Sequence, residues 1–427
     1  MFKRILLYSH DSYGLGHFRR NLTIGDYLLS RSQETTILAI TGSPRAHSFR
    51  LPHRFDYIKL PAATKNRAGR YVSREIHLPL SRLVALRAAL ITAAARGFEP
   101  DLVLVDHAPR GLGGELLPML EEVRRRGART VLGLRDVIDL PQRTRAAWKK
   151  DGVGALLSSR YDALLLYGDR RFFDPVREYG LSPAAVQRLH EVGYVVRCPG
   201  SETTEGIRAR LRLSKGQPLV VVTTGGGGDG SHLLMTYLRG LHDLDAQPGF
   251  SSLLVTGPLL SRRRKGRLRD LAAERSDVEV VEFLEDLPGL YRSADLVVSM
   301  GGYNSTAEIL DSGTPALIVP RVVPRLEQWV RAQLLARRGL VDCLHPGNLK
   351  GGRLLRAVRA RLACGLKRGK GLPRMDGLQE TWNVLERLAA GGTGFRPAAV
   401  AGSRPVRLLP GRMKLAETAP AAGRRAG

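Results

Sequence analysis

Residues 296–320 read LVVSMGGYNSTAEILDSGTPALIVP. Leu296 to Ser299 form an apolar run without alternation, the pattern of a strand buried on both faces of a sheet. Gly301 and Gly302 break the run, and a helical pattern spans 305–311. A second apolar run, 316–319, ends at Pro320. Strand, glycine turn, helix and strand in this order make one unit of a parallel sheet covered by helices. Ligands of such sheets sit beyond the carboxyl ends of the strands, so the turn after Ser299 is a candidate site.

The alternation continues in both directions. Upstream, strands are expected at 219–223, 252–256 and 278–283, with a helix at 232–241. Downstream, a helix is expected at 328–338. A polar break with Pro199, Gly200 and one short helix occupies 196–217. Before it, a first series places strands at 4–9, 36–41, 55–60, 101–106, 130–134 and 163–167, with helices at 80–96 and 114–126. The polar, Arg-rich stretch 65–79 interrupts that series and reads as a long loop. The expected fold is α/β, with two Rossmann-like doubly wound domains facing a cleft. The expected boundaries are 1–197 for the first domain, 198–217 for a linker, 218–390 for the second domain and 391–427 for a basic, disordered tail rich in Gly, Ala, Pro and Arg.

Composition narrows the function classes. Hydrophobic residues make up 43% of the 427-residue chain, enough for ordinary cores. The formal net charge is +27. Arg far outnumbers Lys and the basic residues are scattered through every segment. Aromatics are only 6% and no RNP-like or zinc-finger pattern occurs, so no specific nucleic-acid partner is expected. The three cysteines, Cys198, Cys343 and Cys364, lack metal-like spacing and read as free thiols. No stretch approaches the ~20 apolar residues that span a bilayer. A cytoplasmic protein is expected, with peripheral contact at the inner membrane face left open. For that contact the segment 78–98, apolar with Arg at intervals, is the candidate, against an ordinary core-facing helix.

Three more loops follow strands. The run TGGGGDGSH, 224–232, precedes a helix. Glycines of this run, Gly226, Gly227, Gly228 and Gly230 among them, let backbone approach a ligand, and the helix N-terminus favours an anion such as a diphosphate. No GK[ST] follows, so it is no Walker loop. After the strand 316–319, Glu327 and Gln328 open a helix at the cleft. In the first domain, SHDSYGLGH, 9–17, carries Gly14, Gly16 and His17, with Asp11 and His10 nearby. On the helix after Gly302, Asn304, Ser305 and Thr306 sit at the first turn. Glu308 could hold a ribose diol or close a capping box with Ser305. The lone DxD, 243–245, reads as chance.

These loops, in this order and spacing, resemble the donor domain of the MurG-like glycosyltransferases (glycosyltransferase family 28), which have the GT-B architecture. The resemblance is strongest over 282–340 and weaker over 1–200. It implies that Glu308 binds the donor ribose and that Phe283 and Leu284 hold the base. It implies that Gly226–Gly230, with Asp229 among them, face the diphosphate together with Gly301, Gly302, Asn304, Ser305 and Thr306. Arg197 would pair with the diphosphate, and Glu327 and Gln328 would touch the sugar. The Gly14–Gly16 loop would face the acceptor, with His17, or else Asp11, as base. Asp106 and His107 could also line the cleft. The final helix, about 379–388, would cross back onto the first domain.

The implied reaction moves a sugar from a UDP-sugar to an unidentified acceptor, lipid-linked or polysaccharide, with inversion. It needs no metal and no cofactor beyond the nucleotide-sugar co-substrate. Departures from the family pattern are DSYGLGH in place of GGTGGH and GGGGDG with a carboxylate near the diphosphate. Two other readings stay open: a nucleotide-sugar hydrolase or 2-epimerase on the same frame, and a non-catalytic nucleotide-sugar or polyanion-binding protein.

Overall fold

The computed structural model describes residues 1–10, 15–66, 71–244, 247–349, 352–365 and 371–391. The expected tail beyond Gly391 lies outside these residues, as do Asp11, Gly14 and Asp245 of the DxD.

Two parallel sheets organise the chain. The first contains β1 (Arg4–Ser9), β2 (Thr36–Thr41) and β3 (Phe55–Lys59). A small hairpin, β4 (Ala63–Lys65) and β5 (Tyr71–Ser73), intervenes. The first sheet continues with β6 (Leu102–Asp106), β7 (Arg129–Arg135), β8 (Ala163–Tyr167) and β9 (Leu189–Glu191). Its order is β3-β2-β1-β6-β7-β8-β9. The second sheet is built from β10 (Leu219–Thr223), β11 (Ser251–Val255), β12 (Val278–Val281), β13 (Leu296–Ser299), β14 (Ala316–Ile318) and β15 (Asp342–Cys343). Its order is β12-β11-β10-β13-β14-β15.

The unbroken apolar runs are explained by burial on both faces. On β1, Ile5 and Leu7 enter one core layer while Leu6 and Tyr8 enter the other. On β10, Val220 and Val222 face one layer and Leu219 and Val221 the opposite one. In each sheet the order reverses beside the first strand, at β1/β6 and at β10/β13. The crevices at the carboxyl ends of those pairs hold the loops singled out in the sequence.

The stretch read as a long loop is corrected in part. Ala63–Lys65 pairs antiparallel with Tyr71–Ser73, Ala63 opposite Ser73 and Thr64 opposite Val72. Two short edge strands, β9 and β15, had no sequence signal, because three and two residues cannot display a period.

The last helix, Gly377–Ala389, leaves the second sheet and packs on the first. Val384 and Leu385 join the cluster of Ile5, Phe18 and Leu28. Burying two such side chains contributes on the order of 1.5–3 kcal/mol each. Tyr27 Oη donates to Gln379 Oε1 at 2.7 Å nearby. A further cluster spans the cleft, with Val137, Ile138 and Phe173 meeting Leu326, Val330 and Leu334.

Candidate active site

A cavity of about 590 Å³ lies between the two sheets, a size suited to a small organic ligand. Parallel pairing places Ser9 opposite Asp106, so the loops after β1 and β6 emerge side by side. The Gly16–Arg31 helix begins there and presents His17 to the cavity.

His17 Nδ1 lies 2.6 Å from Asp106 Oδ2. Asp106 is buried. Burial alone would raise its carboxyl, but the Arg20 guanidinium and the His17 ring outweigh burial and bring it to about 2. Arg20 grips both oxygens, Nε to Oδ1 at 2.9 Å and Nη2 to Oδ2 at 2.8 Å. With Asp106 ionised, Nδ1 is the nitrogen that donates to it, and Nε2 keeps its lone pair for a proton from a ligand. The sequence marked Asp106 only as a cleft residue and passed over Arg20.

Two more imidazoles flank His17. His10 lies 5.0 Å from it, centre to centre, and His107 stacks on it at 5.5 Å. Burial, reinforced by neighbouring positive charge, pushes both well below the usual histidine value and keeps them neutral. His107 adopts φ of 66°, the left-handed region, at the carboxyl end of β6. Such backbone is costly outside glycine and is characteristic of functional turns.

Across the cavity stand the second-domain loops. Gly226, Gly227, Gly228 and Asp229 line the wall, ahead of the Ser231–His242 helix. Gly227 has φ of 83°, and a Cβ there would run into the Thr256 carbonyl oxygen. Gly230 lies behind the lining, packed on Thr224. Gly302, Asn304 and Ser305 also line the cavity. Asn304 Nδ2 donates to the Gly16 carbonyl at 3.0 Å, so the glycine loops of the two domains touch.

The Tyr303–Ser312 helix starts after Gly302 with no side-chain cap. Ser305 is inside the helix, so the capping box with Glu308 does not form. Glu308 is buried below the wall, its Oε1 3.5 Å from Arg197 Nε. Burial raises its carboxyl, against the pull of Arg19 and Arg197. Its Oε2 and the Thr306 hydroxyl have no hydrogen-bond partner among the described residues. Each buried, unsatisfied polar atom costs about 1–3 kcal/mol, which a ligand reaching it would recover. Arg197 does not line the cavity; its Nη1 donates to the Glu285 carbonyl at 2.6 Å. Gly301 likewise stands behind the lining, while Phe283 and Leu284 are on it.

Glu327 and Gln328 line the cavity but are engaged. Glu327 Oε2 accepts from Arg135 Nη2 at 3.1 Å across the cleft, and Oε1 accepts from Arg321 Nη2 at 3.0 Å. Burial opposes its ionisation, yet Arg135 and Arg321 prevail and lower it to about 2. Gln328 Oε1 accepts from the Arg321 backbone N–H at 2.8 Å. Arg321 also pairs with Asp229 at 2.9 Å, neutralising the carboxylate that departs from the family pattern. Arg135 and Arg321 had no motif to announce them, because Glu327 lies 192 residues from Arg135 and Asp229 lies 92 from Arg321.

Among the described residues, no three His, Cys, Asp or Glu side chains are grouped to hold a metal ion. Cys198, Cys343 and Cys364 are free.

Residues 220–367 match the model of the glycosyltransferase family 28 C-terminal domain. That match spans most of the second domain. The matched region holds β10 through β15, and its glycine loops form one side of the cavity. A UDP-N-acetylglucosamine–N-acetylmuramyl-(pentapeptide) pyrophosphoryl-undecaprenol N-acetylglucosamine transferase of Corynebacterium efficiens is 28% identical over 193 residues, 43% of this chain and 51% of that protein. The chain thus spans about half the length of that relative. The same-named protein of Desulforudis audaxviator is 27% identical over 322 residues, 70% of this chain and 83% of its own. The crystal structure of Acinetobacter baumannii MurG superposes with a TM-score of 0.52 at 14% identity, covering 90% of this chain and 99% of that one. The GT-B fold and the likeness to MurG-like proteins expected from the family 28 motifs are therefore both found.

Proposed function

We propose that this protein is a glycosyltransferase that moves a sugar from a UDP-sugar to an acceptor hydroxyl. The observation that carries the reading is the His17–Asp106 pair, which faces the glycine loops of a family 28 domain across one cavity. The names of the relatives point to UDP-N-acetylglucosamine and a lipid-linked acceptor as the first substrates to try.

In this mechanism His17 Nε2 takes the acceptor proton as the acceptor oxygen attacks the anomeric carbon. The bond from that carbon to the diphosphate oxygen breaks, and UDP leaves with the electron pair. Attack from the face opposite the leaving group inverts the centre. Asp106 balances the charge that forms on the imidazole, and Arg20 keeps Asp106 ionised. The glycine loop 225–230 and the two helix starts beyond it face the departing diphosphate, with Arg321 at the rim, in place of a divalent ion. Activity in a chelator is expected to equal activity without one.

Membrane contact is part of the proposal. The Leu80–Phe98 helix buries Leu83, Arg87, Ile91 and Ala95. Ile76, Leu80, Leu86 and Leu90 stay exposed, so the helix has both a core face and an apolar outer face. Arg87 reaches Glu115 and, on β1, Tyr8, tying this helix to the acceptor side. No helix among the described residues is long and apolar enough to cross a membrane.

The deciding experiment follows UDP release and sugar products with and without a lipid-linked acceptor. Acceptor-dependent UDP release and a glycosylated lipid support the transferase. Free sugar or an epimer formed without acceptor would favour the hydrolase or epimerase reading instead.

A further inference from the structure

Arg19 stands two residues after His17 on the first-domain helix and is used by none of the chemistry above. Its guanidinium lies 5.8 Å from the centre of the Phe49 ring and 5.9 Å from that of Phe283. The two rings meet edge to face at 6.3 Å. Phe49 belongs to the first domain, just after the turn Ala46–Ser48, and Phe283 follows β12 of the second. A cation set beside a pair of touching aromatic rings from opposite domains is a contact that exists only when the cleft is closed.

One donor of the Arg19 guanidinium stays unspent among the described residues. Its Nε is buried without a hydrogen-bond partner among the described residues, as are Arg197 Nε and Nη2 and Glu308 Oε2. Arg19 lines the cavity beside Phe283 and Leu284. Burial lowers its guanidinium and Glu308 opposes the fall, which puts cation and carboxylate in one field. Unspent donors and an unspent acceptor from both domains thus converge on one corner, walled by aromatic and aliphatic side chains. A planar heterocycle with carbonyl acceptors, joined to a diol, satisfies that set. The diol suits Glu308, and the carbonyls suit the guanidinium's fork of donors.

We propose that Arg19 and Phe49 are the first domain's half of the nucleoside site, closing over the base and ribose that the second domain holds through Phe283, Leu284 and Glu308. This rests on the donor reading above. The nucleotide then bridges the domains, so donor binding itself favours the closed cleft. His17, on the same helix, comes into line only once the donor is seated.

The test is calorimetric titration of UDP and UMP into the full chain, wild type and Arg19→Ala, Arg19→Lys and Phe49→Ala, with solution X-ray scattering to follow closure. Thermal melts check that each variant is folded. Arg19→Ala is expected to weaken UMP and UDP by the same factor, roughly tenfold, and Arg19→Lys not to restore them, because a point charge lacks the planar fork. The contraction of wild type on UDP is expected to be lost in Arg19→Ala. Phe49→Ala, which keeps every charge, is expected to weaken both ligands as well. If wild type binds UDP and Arg19→Ala binds both ligands equally well, the inference is wrong while the donor reading stands. Weakening of UDP with UMP untouched also overturns it, by assigning Arg19 to the terminal phosphate. If wild type binds neither nucleotide, the donor reading itself falls and takes this inference with it.

Discussion

Arg331 of the second domain grips Asp136 of the first: Nε reaches Oδ2 at 3.0 Å and Nη2 reaches Oδ1 at 2.7 Å. Both side chains are buried, and the Tyr194 hydroxyl donates to Asp136 Oδ2 at 2.6 Å. The Arg331 guanidinium also lies 5.6 Å from the Tyr303 ring, and Arg20 lies 4.8 Å from the same ring. Tyr303 is the first residue of the helix that follows the glycine pair. The clamp between the domains therefore shares a side chain with the support of the His17–Asp106 pair.

Arg331→Ala leaves a carboxylate buried without its cation. A loss of about 3–5 kcal/mol is expected on denaturant unfolding, since breaking a buried pair strands one charge. Arg331→Ala combined with Asp136→Asn should lose less than the single change. Equal losses would show that the pair is not coupled.

His17→Ala and Asp106→Asn are expected to lower turnover by about 10²–10⁴, the usual range for general base catalysis. Neither residue belongs to the second-domain loops that face the nucleotide, so the affinity for UDP should stay within a factor of two or so. A large loss of UDP affinity with turnover preserved would contradict the assigned role.

Acid should loosen the cleft. Asp106 and Glu327 are both held at about 2 by their arginine partners, below ordinary carboxylate values near 4. A depressed carboxyl adds stability that is complete above its unfolded value and is lost as pH falls through the folded one. Stability is thus expected to drop between about pH 4 and 2. Asp106→Asn and Glu327→Gln should flatten that slope, read from thermal melts across the range. An unchanged slope in both variants would contradict the pairing.

Leu86→Glu with Leu90→Glu is expected to weaken binding to anionic vesicles, measured by co-sedimentation, and to leave UDP affinity unchanged. These side chains are exposed on the far side of a helix whose buried face carries the packing. Unchanged sedimentation would assign the exposed leucines no role at a lipid surface.

Both sheets could be read from the sequence, because a strand buried on two faces must be apolar throughout, as at Leu219–Thr223. The glycine loops were legible for a related reason: Gly227 needs a backbone that side chains avoid. Contacts between remote segments were not. His17 stood out, but Asp106 is 89 residues away and only the β1/β6 register brings them together. The sequence offers Glu327 as a sugar contact but says nothing of its tie to Arg135 from the other domain. Arg19, Arg20 and Arg331 were lost among many arginines, since charge alone does not say which of them is buried.

The most direct measurement is the affinity of the full chain for UDP-N-acetylglucosamine and UDP, by calorimetry and thermal shift, for wild type and Glu308→Ala. A ligand at ~100 times its dissociation constant stabilises the folded state by ~2.7 kcal/mol. The account predicts that wild type shows this shift with UDP or a UDP-sugar and that Glu308→Ala loses most of it. Absence of binding by wild type at millimolar nucleotide would contradict the donor site on which everything else rests.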